Sequence, residues 1–125
     1  METGKHETTD ILIVDDNEAI LHVLGRVLTK NGYDVILAIN GREALAKLAV
    51  KAPDLIIIDL DLPDINGLEL SKLIGVRCPA TKRMILTGLP PEKNELDSEM
   101  TPHILVKPLT AEELIAAVKE TLNGN

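Results

Sequence analysis

The chain has no tryptophan and no phenylalanine, and Tyr33 is its one aromatic residue. Aliphatic side chains must therefore supply the core almost unaided. Cysteine is equally scarce: Cys78 stands alone, which excludes an internal disulfide and fits a reducing cytoplasm. Arg77 precedes it, but no basic cluster surrounds it, so Cys78 reads as a buried or half-buried small side chain. No apolar run nears the roughly 20 residues that a membrane-spanning helix requires. Residues 1–9 are polar, lack the apolar centre of a signal peptide, and are expected to form a disordered lead. Basic residues are outnumbered, 13 Lys and Arg against 20 Asp and Glu, for a net charge of −7. A domain of that charge is poorly suited to gripping nucleic-acid backbones directly. His6, His22 and His103 show no zinc-ligand spacing. The expectation is one soluble, cytoplasmic domain of 125 residues, long enough for a single buried core.

What is present is a set of short, continuous apolar runs. Leu55-Ile-Ile-Ile, bounded by Pro53-Asp54 and Asp59, reads as a strand buried on both faces. Asp10-Ile-Leu-Ile-Val14 is a second such strand and again ends in acid, Asp15-Asp16. Residues 33–39, 83–87 and 103–106 read as three more. Between them lie helical patterns. Ile20, Val23, Leu24, Val27 and Leu28 make an amphipathic stripe that stops at Asn31-Gly32. Asn40 caps a helix carrying Ala44, Leu45 and Leu48, with Glu43 at the capping-box position. Asn66-Gly67 opens one with Leu68, Leu70, Leu73 and Ile74. Thr110 and Glu113 form a capping box before Leu114, Ile115, Val118 and Leu122. Segment 90–102 has only Leu96 and Met100 as large apolar residues, so any helix there is short, lightly anchored and locally mobile. Strands alternating with helices predict an α/β, doubly wound parallel sheet with helices on both faces. Strands 10–15 and 55–59 are expected side by side at its centre.

Four of the five predicted strands end in a chemically useful group. Asp15 and Asp16 follow the first, Asp59 ends the third, Thr87 the fourth, and Lys107 follows the fifth. In a parallel sheet these ends share one edge, where open α/β sheets bind ligands. Crowded carboxylates repel: at about 4 Å and an effective dielectric of about 20, each pair costs about 4 kcal/mol. Keeping them together calls for a cation, and all-oxygen ligands with open positions suit Mg²⁺. Lys107 offers a point charge for an anion beside Asp59, and Thr87 a short hydroxyl for a phosphoryl oxygen. Together they describe a phosphoryl-transfer site whose product is an aspartyl phosphate on Asp59.

Over residues 10–123 the chain resembles the receiver domain of two-component response regulators. The resemblance rests on Asp15-Asp16, on Pro63 and Gly67 in the stretch Asp59-Leu-Asp-Leu-Pro-Asp-Ile-Asn-Gly67, on Thr87, and on Lys107-Pro108. It implies the flavodoxin-like strand order 2-1-3-4-5 and Asp59 as phosphoacceptor. It implies Asp16 and Asp59 as side-chain Mg²⁺ ligands, Asp15 acting mainly through water, and the backbone carbonyl of Asp61 as a further ligand. Lys107 would meet the phosphoryl group, and the Lys107–Pro108 peptide would be cis. The implied function is a signalling switch, better described as a regulated phosphoacceptor with slow self-dephosphorylation than as an enzyme. The implied partners are a sensor histidine kinase or phosphotransfer domain and a downstream effector domain or protein, in either a stand-alone receiver or an excised one; oligomeric state is open.

Two departures from the family pattern bear on signalling. The mid-strand position three residues before the lysine, often aromatic in this family, is Ile104, and segment 90–102 is too short and polar for a full helix. Readout is then expected through ordering of the loop after Thr87 and of 90–102. Competing readings are a pseudo-receiver interaction module and a haloacid-dehalogenase-like phosphatase with Asp59 as nucleophile and Asp61 as acid/base. Against the phosphatase, the acidic pair precedes the nucleophile, no aspartate follows Lys107, and Leu62 occupies a position where Thr or Val is usual. The plainer reading of Asp15-Asp16-Asn17-Glu18 is a helix cap.

Overall fold

Continuous apolar runs form strands where both faces are covered, as in the fully buried runs Asp10–Val14 and Leu55–Asp59. The computed structural model describes residues 8–88 and 103–123. Its elements are β1 (Asp10–Val14), α1 (Glu18–Lys30), β2 (Asp34–Ala38), α2 (Gly41–Val50), β3 (Leu55–Asp59), α3 (Gly67–Arg77), β4 (Lys82–Thr87), β5 (His103–Val106) and α4 (Ala111–Leu122). All strand pairs are parallel, in the order β2-β1-β3-β4-β5. β1 and β3 are adjacent, as their apolar character predicts. The expectations for residues 1–7 and 90–102 lie outside the described residues; Thr9 is described, and its carbonyl accepts the Asp34 N–H at 2.9 Å.

Alternate residues of each central strand supply two cores. Ile11, Ile13, Leu55, Ile57, Met84 and Leu86 pack on one face with Leu21 and Leu28 of α1 and Leu114 and Val118 of α4. Leu12, Val14, Ile56, Ile58 and Ile85 pack on the other with Ala44 of α2 and Leu70 and Ile74 of α3. Ile104 packs at the margin of this second core. Cys78 is half-buried there.

Polar residues set where the helices start and stop. Asn17, Asn40, Asn66 and Thr110 cap the four helices with their side chains, and Thr110 with Glu113 makes the full reciprocal box. Glu43 departs from that box, since its carboxylate accepts the N–H of Ile39, one residue before the cap. α1 closes in a Schellman turn: Gly32 N–H donates to Thr29 O and Tyr33 N–H to Leu28 O, with Gly32 at φ +93°.

One expectation fails within α1. Val23 is 59% exposed, and the face turned to the sheet is Leu21, Gly25 and Leu28. Gly25 sits on that face against β2, where an added Cβ would stand at ordinary contact distance, 3.6 Å from Leu37 and 3.7 Å from Val35. A glycine carries no apolar signal, so the buried stripe has a gap in sequence.

Gly67 marks the tightest approach between β3 and α3. A Cβ there would stand 2.6 Å from the Asp59 carbonyl and 2.7 Å from Leu60 Cα, both backbone atoms that cannot yield cheaply. Gly67→Ala is therefore expected to lower unfolding free energy by about 1–3 kcal/mol, read from urea denaturation.

Candidate functional site

β1 delivers Asp15 to the carboxyl edge of the sheet, with its N–H bonded to the Ala38 carbonyl at 3.1 Å. Asp15 is only 1% exposed. Its Oδ1 accepts the Asn17 N–H at 2.9 Å, while Asn17 itself caps α1 by accepting the Ile20 N–H at 3.1 Å. The cap is thus Asn17, and neither member of the acidic pair is used for it. Asp16 is exposed. β3 delivers Asp59, 6% exposed, to the same edge. Asp15, Asp16 and Asp59 each present a carboxylate oxygen, and these oxygens lie within 4.8 Å of one another.

Lys107 reaches into this cluster from the end of β5. Its Nζ donates to Asp15 Oδ2 at 3.2 Å and lies 3.5 Å from Asp59 Oδ1. Its backbone N–H donates to the Thr87 carbonyl at 2.7 Å, and the Lys107–Pro108 peptide is cis, as the family resemblance implies. Thr87 is buried at the end of β4, beside Val106 in register and one residue beyond the Leu86 that pairs with Asp59. Asp61 stands apart from the cluster: its side chain is exposed, and its backbone is bridged to Asn66.

Burial raises the pKa of Asp59 above the usual carboxylate range, and the charge of Asp15 pushes it further. Lys107 and the Asp61 N–H oppose the shift. The donor set is all oxygen, two of the three acids are buried, and among the described residues the cation touching them is Lys107. Such a set fits a hard divalent ion, Mg²⁺ above softer metals. An apolar groove of about 310 Å³ opens beside Lys107, lined by Ile20, Val23, Leu24, Leu86, Pro108 and Leu109.

The structure therefore joins Asp15, Asp16, Asp59 and Lys107 in direct proximity and sets Thr87 on the same edge. Two residues that shape the site were assigned no part in it from sequence. Asn17 holds the Asp15 carboxylate in place, and its position just ahead of the first helical stripe was the available signal. Asp64, within the β3–α3 connection, bonds α2 across 23 residues of chain, and nothing local marks it.

A doubly wound parallel sheet with an acidic cluster and a lysine at its carboxyl edge defines an α/β domain with a ligand site at its strand ends. Residues 11–119 match the family described as response regulator receiver domain, and the chain belongs to that family. It is 37% identical over 114 residues to the alkaline phosphatase synthesis transcriptional regulatory protein PhoP of Bacillus subtilis, covering 90% of this chain and 48% of that protein. The chain thus spans about a quarter to a half of the length of the curated relatives it matches. Among solved structures, it resembles the signal receiver domain of an HD domain-containing protein from Pseudomonas fluorescens, with TM-score 0.86, 33% identity, and coverage of 93% of this chain and 95% of that one. It also resembles the response regulator TrrA of Thermotoga maritima in complex with Mg²⁺ and BeF, with TM-score 0.83, 33% identity, and coverage of 91% and 99%.

The raised pKa of Asp59 fixes a sign for pH dependence. A carboxyl that binds its proton more tightly in the folded state stabilises that state below its ordinary pKa. This contribution is lost as pH rises through the raised value. In Mg²⁺-free buffer, Asp59→Asn is therefore expected to melt above the wild type at pH 7. The gap should close as pH falls toward the ordinary carboxylate value, and melting curves across that range check it.

Proposed function

We propose that this receiver domain, spanning residues 10–123, accepts a phosphoryl group on Asp59 in a Mg²⁺-dependent reaction and acts as a signalling switch. The observation that carries the reading is the convergence of Asp15, Asp16 and Asp59 with Lys107 bonded among them. Asp16 and Asp59 would hold the metal directly, Asp15 mainly through water, and the Asp61 carbonyl would add a ligand. When bound, Mg²⁺ supplies charge neutralisation on the phosphoryl oxygens.

The remaining chemistry belongs to the chain. An Asp59 carboxylate oxygen attacks the phosphorus of a phosphohistidine; the P–N bond breaks as the P–O bond of the acyl phosphate forms, and the donor imidazole leaves. Lys107 moves its ammonium from carboxylate to phosphoryl oxygen, and Thr87 offers a hydroxyl to another. Burial of Asp59 keeps solvent from the product, which supports slow self-dephosphorylation and a regulatory role in place of turnover. The donor is a sensor histidine kinase or phosphotransfer domain, and the apolar groove beside Lys107 gives such a protein a surface adjoining the acceptor. Output passes to a downstream effector domain or protein in the cytoplasm. With Ile104 at the mid-β5 position, that output does not use a rotating aromatic ring.

Acetyl phosphate with Mg²⁺ is expected to add one phosphoryl mass to the wild type and none to Asp59→Asn or to EDTA-treated protein. An unlabelled wild type would mean a pseudo-receiver, and rapid turnover of an aryl phosphate would mean a phosphatase. Because metal binds the folded state, millimolar Mg²⁺ should also raise the melting temperature, by the equivalent of about 2.7 kcal/mol at 100 times Kd.

A further inference from the structure

The connection between β3 and α3 forms a bracket whose shape is fixed by its own bonds. The Gly67 N–H donates to the Leu60 carbonyl at 2.8 Å, Asp61 and Asn66 face each other in an antiparallel bridge, and the Asn66 side chain accepts the Leu68 N–H at 2.8 Å. None of these bonds ties the bracket to the α2 side of the sheet.

Asp64 supplies that tie. Its Oδ1 accepts the Gly41 N–H at 2.9 Å and its Oδ2 the Arg42 N–H at 3.0 Å. These are the first two amides of α2, which have no partner inside the helix; Asn40 takes a third, the Glu43 N–H, at 2.8 Å. A carboxylate bonded through both oxygens at the positive end of a helix is a charge-assisted pair of bonds. The Gly41 N–H is the largest cause of a lowered Asp64 pKa. The seat is shaped as well as bonded. A Cβ on Gly41 would overlap Ile65 Cγ2 and stand 3.3 Å from Asp64 Oδ1, and a β-branched neighbour has little rotamer freedom with which to yield.

The other end of the bracket meets the site. Asp61 lies two residues from Asp59 and is bridged to Asn66, and a Cβ on Gly67 would stand 2.6 Å from the Asp59 carbonyl. We infer that Asp64 is a positioning residue for metal binding and phosphoryl acceptance: by clamping the amino end of α2 it holds the bracket, and with it the Asp61 backbone, in register with Asp59. This rests on the function proposed above and adds to it that α2 and the metal site move as one unit.

The test is Mg²⁺ titration by calorimetry on the full chain. Asp64→Ala and Gly41→Ala are each expected to weaken Mg²⁺ by about 10-fold, the usual effect of removing a group that orients a ligand. Asp64→Asn, which keeps one acceptor, should weaken it less and provides the comparison if the alanine variant does not fold. Val118→Ala, a core truncation on the opposite face, should destabilise the protein and leave Mg²⁺ affinity unchanged. In EDTA, the Gly41 and Arg42 amides should exchange faster in Asp64→Ala than in Val118→Ala. Unchanged Mg²⁺ affinity in the Asp64 and Gly41 variants, or an equal loss in Val118→Ala, overturns the inference alone. A wild type with no Mg²⁺ affinity overturns the functional reading and the inference with it.

Discussion

Everything at the carboxyl edge of this sheet answers to one constraint: Asp15, Asp16 and Asp59 are gathered closely enough to repel, and two of them are nearly sealed from water. With about 4 kcal/mol per pair at about 4 Å and intermediate dielectric, the cost is comparable to a sizeable share of the 5–15 kcal/mol that holds a typical domain together. Lys107 offsets part of it, and the Asn17 N–H steadies one oxygen of Asp15. Lys107 reaches two of the acids and Asn17 one. A divalent cation could engage all three acids at once, and the resulting attraction is the physical basis for proposing Mg²⁺ here.

The fold exists to impose that crowding. β1 and β3 are the most buried strands because they lie centrally, with apolar side chains on both faces. Their burial fixes where they end, and each ends on an acid. β5 brings Lys107 from 48 residues beyond Asp59, with its backbone locked to Thr87. No local segment of the chain contains the site; only the parallel sheet assembles it. That is why a sheet built from plain aliphatic side chains suffices, since the core has only to hold strand ends in register.

Much of this was legible in the sequence, for identifiable reasons. Leu55–Ile58 and Ile11–Val14 are uninterrupted and terminate in aspartate, so both the strands and their central placement followed from composition. Thr110 with Glu113, Asn40 and Asn66 announced helix starts through capping chemistry that depends on neighbours only three residues away. What was hidden required knowing a contact across the chain. Val23 looked like a core residue, but the buried face runs through Leu21, Gly25 and Leu28, and Gly25 is silent in any apolar pattern. The Asp64 clamp onto Gly41 and Arg42 joins segments with no shared pattern, and Asp64 reads locally as an ordinary turn residue after Pro63. The strand order itself came from family likeness, because right-handed crossovers alone permit more than one arrangement.

The most direct measurement is an experimental structure of the chain with Mg²⁺ and beryllium fluoride. The account predicts one metal bound by the Asp16 and Asp59 carboxylates and the Asp61 carbonyl, beryllium on an Asp59 oxygen, and the Lys107 ammonium turned from Asp15 to fluoride. Metal bound elsewhere, or beryllium absent from Asp59 with Lys107 still held by Asp15, would contradict it.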